Sequence, residues 1–265
     1  MEQNNLTLKV IAYAHNGHTD KFGIPRQSRE ESPILTRIVF EPEYSVEEAL
    51  RGIEGYSHLW ILWGFSNVRR DDVQSTKEWS PTVRPPRLGG NKRMGVFATR
   101  SPFRPNPIGL SSVRLVEVRR TNISGAKDSR MELIVSGADV LDGTPIYDIK
   151  PYLSFSDSHP EAINGFADVT KDYQIDVRSN DVRCTKESLA AEWGVPETIA
   201  EDILYILRQD PRPGYQNDPE REYKMDYKGW RVTFNVRRTE VQSTKEEGDC
   251  SSKSQIYIHS IYKFE

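Results

Sequence analysis

A proline-rich segment over residues 95–110 holds the side chains whose chemistry is easiest to interpret. It reads Gly-Val-Phe-Ala-Thr-Arg-Ser-Pro-Phe-Arg-Pro-Asn-Pro-Ile-Gly-Leu. Each of its three prolines fixes φ and disfavours helix at the preceding residue, which predicts a stiff, extended loop. Such a loop would hold Arg100 and Arg104 at a low entropic cost, in position to bind a carboxylate or a phosphate. A purely structural proline turn is the alternative.

Basic residues are concentrated around this loop. Between Trp79 and Val116 there are seven Lys or Arg residues and no Asp or Glu, although the whole chain has a formal net charge of −3. Clustered basic residues gain affinity for a polyanion by releasing counterions from its phosphates, whatever the charge of the whole molecule. The segment therefore predicts either a nucleic-acid contact or a solvated basic loop.

A second segment with mixed polar groups runs from Asp142 to Tyr152. It reads Asp-Gly-Thr-Pro-Ile-Tyr-Asp-Ile-Lys-Pro-Tyr. Its first two residues are a strong turn signal by themselves. Because Asp148 and Lys150 follow the turn, the segment either forms a simple turn or lines a site.

Two other arrangements could suggest different chemistry. Ser57-His58 and Ser158-His159 each place a nucleophile beside a base. Adjacent residues on a strand point to opposite faces, so neither pair is expected to form the active site of a hydrolase by itself. His15 and His18 have the spacing of a metal site, but no third ligand is evident, so we expect no metal and a histidine bonded to backbone or water.

The elements that must position these residues are mainly strands. Six apolar runs with strand-like patterning predict strands at Leu6–Ala12, Ile34–Phe40, His58–Phe65, Met94–Ala98, Leu110–Val118 and Met131–Ser136. A capping-box pattern at Ser45–Glu48 predicts one short helix between the second and third runs. A doubly wound parallel sheet needs crossover helices between most strands, so the pattern favours a mainly antiparallel β-sheet or β-barrel.

The last third of the chain has a different pattern. Residues 186–209 have apolar side chains at helical spacings, and Gly194 and Pro196 should divide this stretch. Two strands are predicted after it, at Trp230–Val236 and within Gln255–Phe264. We therefore predict a β-barrel domain over residues 1–168 and a small α+β C-terminal region over residues 169–265. An extension packed on the barrel is the alternative for this region.

Composition excludes several classes of protein. The chain is 36% hydrophobic and 10% aromatic, which argues against disorder throughout, and 28% charged, which indicates a strongly polar surface. No run approaches the roughly 18 apolar residues of a membrane span, and the first ten residues lack the apolar stretch of a signal peptide. Cys184 and Cys250 lie far apart, which supports neither a disulfide framework nor a thiolate zinc site. We expect a soluble protein of the cytoplasm, without a membrane partner.

Taken together, the motifs resemble those of the TrmO (TsaA-like) family. These tRNA methyltransferases use S-adenosylmethionine to methylate N6 of a threonylcarbamoyl-modified adenosine beside the anticodon. The resemblance covers most of residues 10–237 and is carried by these stretches: Phe22–Gln27, Ser57–Trp60, Arg84–Arg87, Ala98–Leu110, Leu141–Pro145, Asp148–Tyr152 and Asp210–Tyr215. The chain departs from the family pattern at His15–His18, where an Arg-Ser-Pro stretch is common, and at Ser66, where a His often follows the phenylalanine.

The resemblance implies a fold and a cofactor. The family has a β-barrel in place of the nucleotide-binding sandwich of most methyltransferases, and it usually forms a homodimer with the cofactor near the subunit interface. By motif match, the residues that would contact S-adenosylmethionine are Pro25, Arg26, Gln27, Phe65, Ser66, Arg100, Leu110, Asp142, Gly143, Thr144 and Pro145.

The implied reaction assigns roles to further residues. Methyl transfer needs in-line approach of the acceptor nitrogen, so orientation should supply most of the rate. A carboxylate near N6 could orient the amine or accept its proton, and Asp148 is the candidate; an Asp148 bonded to backbone amides is the structural alternative. The acceptor lies in a single-stranded anticodon loop, where stacking and base-edge hydrogen bonds read the bases.

The candidates for contacts with tRNA phosphates are Arg84, Arg87, Arg93, Arg104 and Arg212. A non-catalytic RNA-binding module of the same fold is the alternative function, because the basic segment would bind RNA with or without a working cofactor pocket.

Overall fold

The computed structural model of the protein describes residues 7–19, 23–24, 31–65, 79–85, 92–122, 129–170, 174–212, 218–239 and 253–264. These residues divide into two units. The first contains the described residues up to 16 and those within 31–85 and 92–160. The second contains residues 17–19 and 23–24 and the described residues after 160.

The first unit is built mainly from strands. In chain order they are β1 (Ala12–His15), β2 (Leu35–Phe40), β3 (His58–Gly64), β4 (Thr82–Val83), β5 (Met94–Gly95), β6 (Ile108–Asn122), β7 (Ser129–Ser136) and β8 (Thr144–Pro151). The short helices of this unit are α1 (Glu47–Leu50) and α2 (Ser154–Asp157), with 3-10 turns at Ile53–Gly55 and Val96–Ala98.

Six of these strands close into a barrel in the order β1-β2-β7-β6-β3-β8, and each neighbouring pair is antiparallel. Because side chains alternate between the two faces of a strand, one face of each strand fills the interior. Ile38, Leu59, Leu133 and Ile146 are fully buried there. The predicted antiparallel β-barrel is confirmed.

Some of the predicted elements differ from the observed ones. The first strand begins at Ala12, where the predicted run at Leu6–Ala12 ends, and the described residues before it are not in a strand. The run at Met94–Ala98 is strand only at its first two residues and continues as a 3-10 turn. Strand β8 was not predicted, because its two prolines resemble turn signals.

The predicted capping box at Ser45–Glu48 is wrong. Helix α1 has Val46 at its N-cap and no side-chain cap. The Ser45 hydroxyl instead accepts a hydrogen bond from the backbone N–H of Met131, at 2.7 Å. A long-range contact to β7 has therefore replaced the local cap that the sequence pattern indicated.

The second unit combines a sheet with two helices. Its strands are β9 (Asp176–Ser179), β10 (Val182–Arg183), β11 (Tyr223–Tyr227), β12 (Trp230–Thr239) and β13 (Lys253–Lys263), in the sheet order β10-β9-β13-β12-β11. Its helices are α3 (Lys186–Trp193) and α4 (Glu197–Arg208), and a 3-10 turn covers Gly165–Thr170. Gly194, with φ of 69°, ends α3, as predicted. The small α+β C-terminal unit of the predicted fold is confirmed. Within the described residues no helix is long and apolar enough to cross a membrane.

The two histidines with metal-like spacing belong to different units. His15 lies 3.5 Å from the carboxylate of Asp142 in the first unit. His18 is buried in the second unit, with its ring 5.4 Å from that of Tyr227. Burial, and then the charge of Lys228, lower the pKa of His18 to about 4, so this imidazole is neutral at physiological pH.

A buried carboxylate connects three strands on the outer side of the barrel. The side chain of Glu132 in β7 is fully buried and accepts hydrogen bonds from Arg37 Nε and Nη2 at 2.9 and 2.7 Å. Arg119 Nε and the Thr121 hydroxyl in β6 donate to its other oxygen. Burial raises the pKa of Glu132, but these hydrogen bonds outweigh burial and leave the pKa below its ordinary value.

We expect Glu132→Gln to lower the free energy of unfolding at pH 7 by roughly 1.5–3 kcal/mol, the usual contribution of hydrogen bonds to a charged group. Because the pKa of Glu132 is depressed in the folded state, this contribution is present above the unfolded-state pKa of about 4.3 and is lost as the pH falls through the folded-state pKa. Urea unfolding across this pH range measures it.

The matched control is Glu117→Gln, which removes a half-exposed partner of Arg119 and should change stability little. A stability difference between wild type and Glu132→Gln that stays constant as the pH is lowered would contradict the assignment.

Candidate active site

Strand β3 is the centre of the site, because both of its neighbours carry predicted site residues. Leu62 pairs with Leu110 on β6 and with Asp148 on β8. Neighbouring strands lie about 4.8 Å apart, so the backbones of Leu110 and Asp148 are about 10 Å apart, with Leu62 between them. The structure thus brings the predicted cofactor contact and the predicted catalytic residue to one outer face of the barrel.

A β-bulge sets the position of Asp148. The register between β3 and β8 shifts after Leu62, so that Trp63 pairs with Ile146 and Tyr147 is the extra residue. Asp148 and Lys150 then face outward with Leu62 and Trp60. The bulge therefore gives this part of β8 a polar outer face.

A cleft of about 390 Å³ opens on the same face. This volume lies within the range of about 300–1,000 Å³ that is typical of small-molecule sites. Apolar side chains from β3 and β6 form one part of its lining, and polar groups from β8, α2 and the following residues form the rest: Trp60, Leu62, Leu110, Lys150, Ser156, Asp157 and His159. The cleft offers an apolar surface, an ammonium group and a carboxylate to a ligand.

Asp157 fixes one wall of the cleft. Its Oδ2 accepts hydrogen bonds from the backbone N–H of Leu153 at 2.9 Å and from Trp60 Nε1 at 2.8 Å. These hydrogen bonds, the backbone one foremost, hold the pKa of Asp157 below its ordinary value. The Trp60 ring also lies 5.5 Å from the ring of Tyr152. The indole is therefore held in place before any ligand arrives.

The proline-rich loop is attached to the end of β3. The backbone N–H of Phe65 donates to the carbonyl of Pro107 at 3.1 Å, and the Phe65 ring lies 4.4 Å from that of Trp63. Trp63 Nε1 donates to the Ser111 hydroxyl, and that hydroxyl donates to the Asp139 carboxylate. This chain of contacts fixes the point where the loop enters β6.

Gly109 fits into this packing only because it has no side chain. A Cβ at this position would lie 2.2 Å from Cε2 of the buried Trp63 indole. Such a contact requires the indole to move and so to disturb its hydrogen bond to Ser111. Tight packing against Trp63 thus explains why a glycine occupies this position near the end of the proline-rich segment.

The turn at Asp142–Pro145 lies at the same end of the barrel as Phe65, because β8 begins where the antiparallel β3 ends. Gly143 has φ of 73° and donates its N–H to the carbonyl of Ala14 at 2.8 Å. The Asp142 carboxylate accepts the backbone N–H of Asn16 at 2.9 Å. Thr144 is buried. In the structure these residues hold the end of β1.

The remaining predicted site residues lie outside the described residues, are exposed, or are half-buried. Pro25, Arg26, Gln27, Ser66 and Arg87 lie outside the described residues. Arg84, Arg93 and Arg100 are exposed. Arg104 is half-buried, and its Nη1 donates to the carbonyl of Thr99 at 2.7 Å.

Arg212 is buried in the second unit, where its Nε donates to the Asp210 carboxylate at 2.9 and 3.0 Å. The pair fixes the turn that follows α4. That Arg212 contacts a phosphate stays a prediction, and the burial of its side chain argues against it.

One geometric expectation is wrong. Ser57 Oγ and His58 Nδ1 lie 2.9 Å apart, although adjacent strand residues should point to opposite faces. Ser57 precedes β3 and is not bound by strand alternation, so its side chain can turn toward the histidine. Of the second pair, His159 lines the cleft.

Sequence reasoning missed Asp157 as a residue of the cleft. Its place depends on α2 folding back against Trp60, which no local motif indicates. His159 appeared only in the hydrolase alternative.

Comparison with known proteins identifies the family. The model of the tRNA-methyltransferase O N-terminal domain matches residues 13–158, and that of the TrmO C-terminal domain matches residues 170–246. The chain belongs to the TrmO family. The first match covers the barrel strands from Tyr13 onward and every lining residue of the cleft except His159, so the site described above belongs to the TrmO N-terminal domain.

Relatives within the TrmO family match along most of their length. The tRNA (adenine(37)-N6)-methyltransferase of Escherichia coli is 40% identical over 234 residues, which are 88% of this chain and 93% of the relative. A Pseudomonas aeruginosa protein named as a putative S-adenosylmethionine-dependent methyltransferase, RcsF, is 39% identical over 231 residues, 82% of this chain and 87% of the relative. A crystal structure of TrmO from Pseudomonas aeruginosa has a TM-score of 0.66 at 28% identity and covers 97% of this chain and 98% of that one.

We expect Gly109→Ala to destabilise the barrel by about 1–3 kcal/mol, because the added methyl group must displace the Trp63 indole. The matched control is Gly95→Ala at the other end of the same segment, where φ is −59° and nothing lies within 4 Å of the added methyl group. Urea unfolding of the two variants measures the effect. Equal stability of Gly109→Ala and wild type would contradict the packing argument.

Proposed function

We propose that this protein methylates N6 of adenosine 37 in tRNA, beside the anticodon, with S-adenosylmethionine as the methyl donor. The observation that carries the proposal is the cleft on the outer face of β3, which has Leu110 in its lining and Asp148 beside it. The names of the TrmO relatives support the same reaction.

The lining of the cleft suits S-adenosylmethionine. Apolar and aromatic side chains such as Trp60, Leu62 and Leu110 can accept an adenine ring, and the face of an indole attracts a sulfonium cation. Lys150 offers its ammonium group to a carboxylate of the ligand. When bound, the cofactor supplies an electrophilic methyl group.

The other proposed cofactor contacts extend the site toward the end of the barrel. Phe65 lies five residues beyond Trp60 along the chain, a distance of about 16 Å for an extended strand. The turn at Asp142–Pro145 belongs to the same end. From the family resemblance we add the exposed Arg100. We assign to this set, from the family resemblance, also Pro25, Arg26, Gln27 and Ser66.

Asp148 is the proposed partner of the acceptor amine. Its Oδ1 accepts the backbone N–H of Ile149 at 2.9 Å, and its Oδ2 lies 3.1 Å from Lys150 Nζ. A carboxylate has about four acceptor positions, so it can accept a further hydrogen bond from N6. Asp148 would orient the amine and take the proton that N6 loses during transfer.

The basic segment provides the proposed surface for tRNA. Arg84 is exposed directly after β4, Arg93 is exposed directly before β5, and Arg104 lies in the proline-rich loop. We infer that they contact phosphates of the anticodon stem and loop. The family resemblance also leads us to propose a cytoplasmic homodimer and an acceptor that carries the threonylcarbamoyl group.

Incubation of the protein with methyl-labelled S-adenosylmethionine and total tRNA should label N6 of adenosine 37, which nuclease digestion and mass spectrometry locate. tRNA without the threonylcarbamoyl group should accept less label.

Leu110→Asp places a charge on the exposed wall of the cleft and should abolish cofactor binding in calorimetry while the protein stays folded. Binding of tRNA by wild type without cofactor binding or methyl transfer would indicate an RNA-binding module instead.

We expect Asp148→Asn to reduce kcat by about 10² while the affinity for S-adenosylmethionine stays within a factor of two, since general-base contributions are about 10²–10⁴. Asp148→Glu keeps the carboxylate and should recover part of the activity. Single-turnover methyl transfer at saturating tRNA measures the change. Full activity of Asp148→Asn would remove this residue from the mechanism.

A further inference from the structure

Three aromatic side chains are exposed beside the basic residues of the first unit. Phe97, Phe103 and Trp79 expose 72%, 45% and 39% of their surface. The rings of Trp79 and Phe97 are stacked, with centroids 6.2 Å apart and planes 29° apart. We call these three residues the aromatic platform. The proposed tRNA contacts above involve only arginines and leave this platform without a function.

Several contacts hold the backbone of the platform in place. Strands β4 and β5 pair through Thr82 and Gly95, and the N–H of Val96 donates to the carbonyl of Pro81 at 2.9 Å. The N–H of Ser80, next to Trp79, donates to the carbonyl of Phe103 at 3.4 Å. Two distant parts of the chain are thereby joined, so the exposed rings belong to one ordered surface.

Arg104 completes this surface. Its Nη1 donates to the carbonyls of Thr99, Val96 and Ser101 at 2.7, 3.3 and 3.4 Å, which cross-links the turn after Phe97. Its guanidinium carbon lies 5.8 Å from the centroid of the Phe97 ring. A cation is thus fixed beside the most exposed ring of the platform.

The charge around the platform favours one class of occupant. No acidic residue occurs between Trp79 and Val116. Exposed Arg93, whose Nη1 donates to the Thr82 hydroxyl at 3.0 Å, adds a positive charge beside the β4–β5 pair. Aromatic rings in a basic surface are the features with which proteins bind single-stranded nucleic acid, because bases stack on the rings and phosphates pair with the cations.

We propose that the aromatic platform stacks with unstacked bases of the tRNA anticodon loop. The proposal rests on the proposed function and adds to it the residues that hold the substrate bases. The loop that carries Phe103 is bonded through Pro107 to Phe65 and enters β6 two residues before Leu110. A base held on the platform is therefore bound by the same rigid loop that leads to the cofactor cleft.

The test measures the affinity of the protein for a synthetic anticodon stem-loop RNA. Phe97→Ala should weaken binding by about tenfold, within the range for loss of one base–aromatic stack. Phe97→Tyr keeps a ring and should bind as wild type does. The slope of log affinity against log salt should be the same for Phe97→Ala and wild type, whereas Arg93→Ala should flatten it by about 0.7, the value for one lost phosphate contact.

The matched control is Tyr56→Ala, which removes an exposed aromatic side chain outside the acid-free segment and should not alter RNA affinity. Calorimetry with S-adenosylmethionine should give the same affinity for Phe97→Ala as for wild type. If Phe97→Ala binds the stem-loop as tightly as wild type does, the platform proposal is overturned. If Phe97→Ala changes the oligomeric state in sedimentation and leaves the RNA affinity unchanged, the stacking proposal is overturned and the platform is a protein contact.

The two proposals fail in different ways. A wild-type protein that binds the stem-loop but does not methylate tRNA contradicts the proposed function, while the affinity of Phe97→Ala still decides the role of the platform. A wild-type protein that methylates tRNA, together with unaltered RNA affinity in Phe97→Ala, leaves the function in place and removes the platform.

Discussion

The close contact between the Trp63 indole and the backbone of Gly109 is the constraint on which the site depends. It joins the end of β3 to the start of β6 at a distance that admits no side chain. The hydrogen bonds from Trp63 to Ser111 and from Ser111 to Asp139 keep the indole in that position. Because the proline-rich loop leads directly into this contact, the position of its C-terminal end follows from it.

The barrel separates an aliphatic interior from an outer face and loops that carry polar and aromatic groups. Its interior is filled by aliphatic side chains of alternating strand positions, such as Leu59 and Leu133. The outer face of β3 and its neighbours carries the cleft, and the loops at the end of the barrel carry cations and aromatic rings. A rigid scaffold with functional groups on its outer face and loops holds these groups in defined positions.

Alternation of apolar residues, as in Ile34–Phe40, was enough to predict a mainly antiparallel β-sheet or β-barrel, and the family resemblance decided for the barrel. Strand β8 was missed because two prolines and an Asp-Gly turn dominate its local signal. Leu110 and Asp148 were found from their motifs, but their meeting across Leu62 depends on register, which a sequence pattern does not fix. The burial of Arg212 against Asp210 also depends on tertiary packing. Phe97 and Phe103 flank arginines in the sequence, and this signal could have indicated the aromatic surface.

The bulge at Tyr147 lets β8 contribute both to the core and to the polar outer face of the barrel. If β8 alternated regularly from Ile146 onward, Asp148 and Lys150 would be directed into the aliphatic interior, and Ile149 would be directed to solvent. The extra residue resets the phase of the alternation, so Ile149 still packs against the core while both charged groups reach water. A single inserted residue thus allows a barrel-closing strand to carry two charged groups on its outer face without placing a charge in the hydrophobic centre.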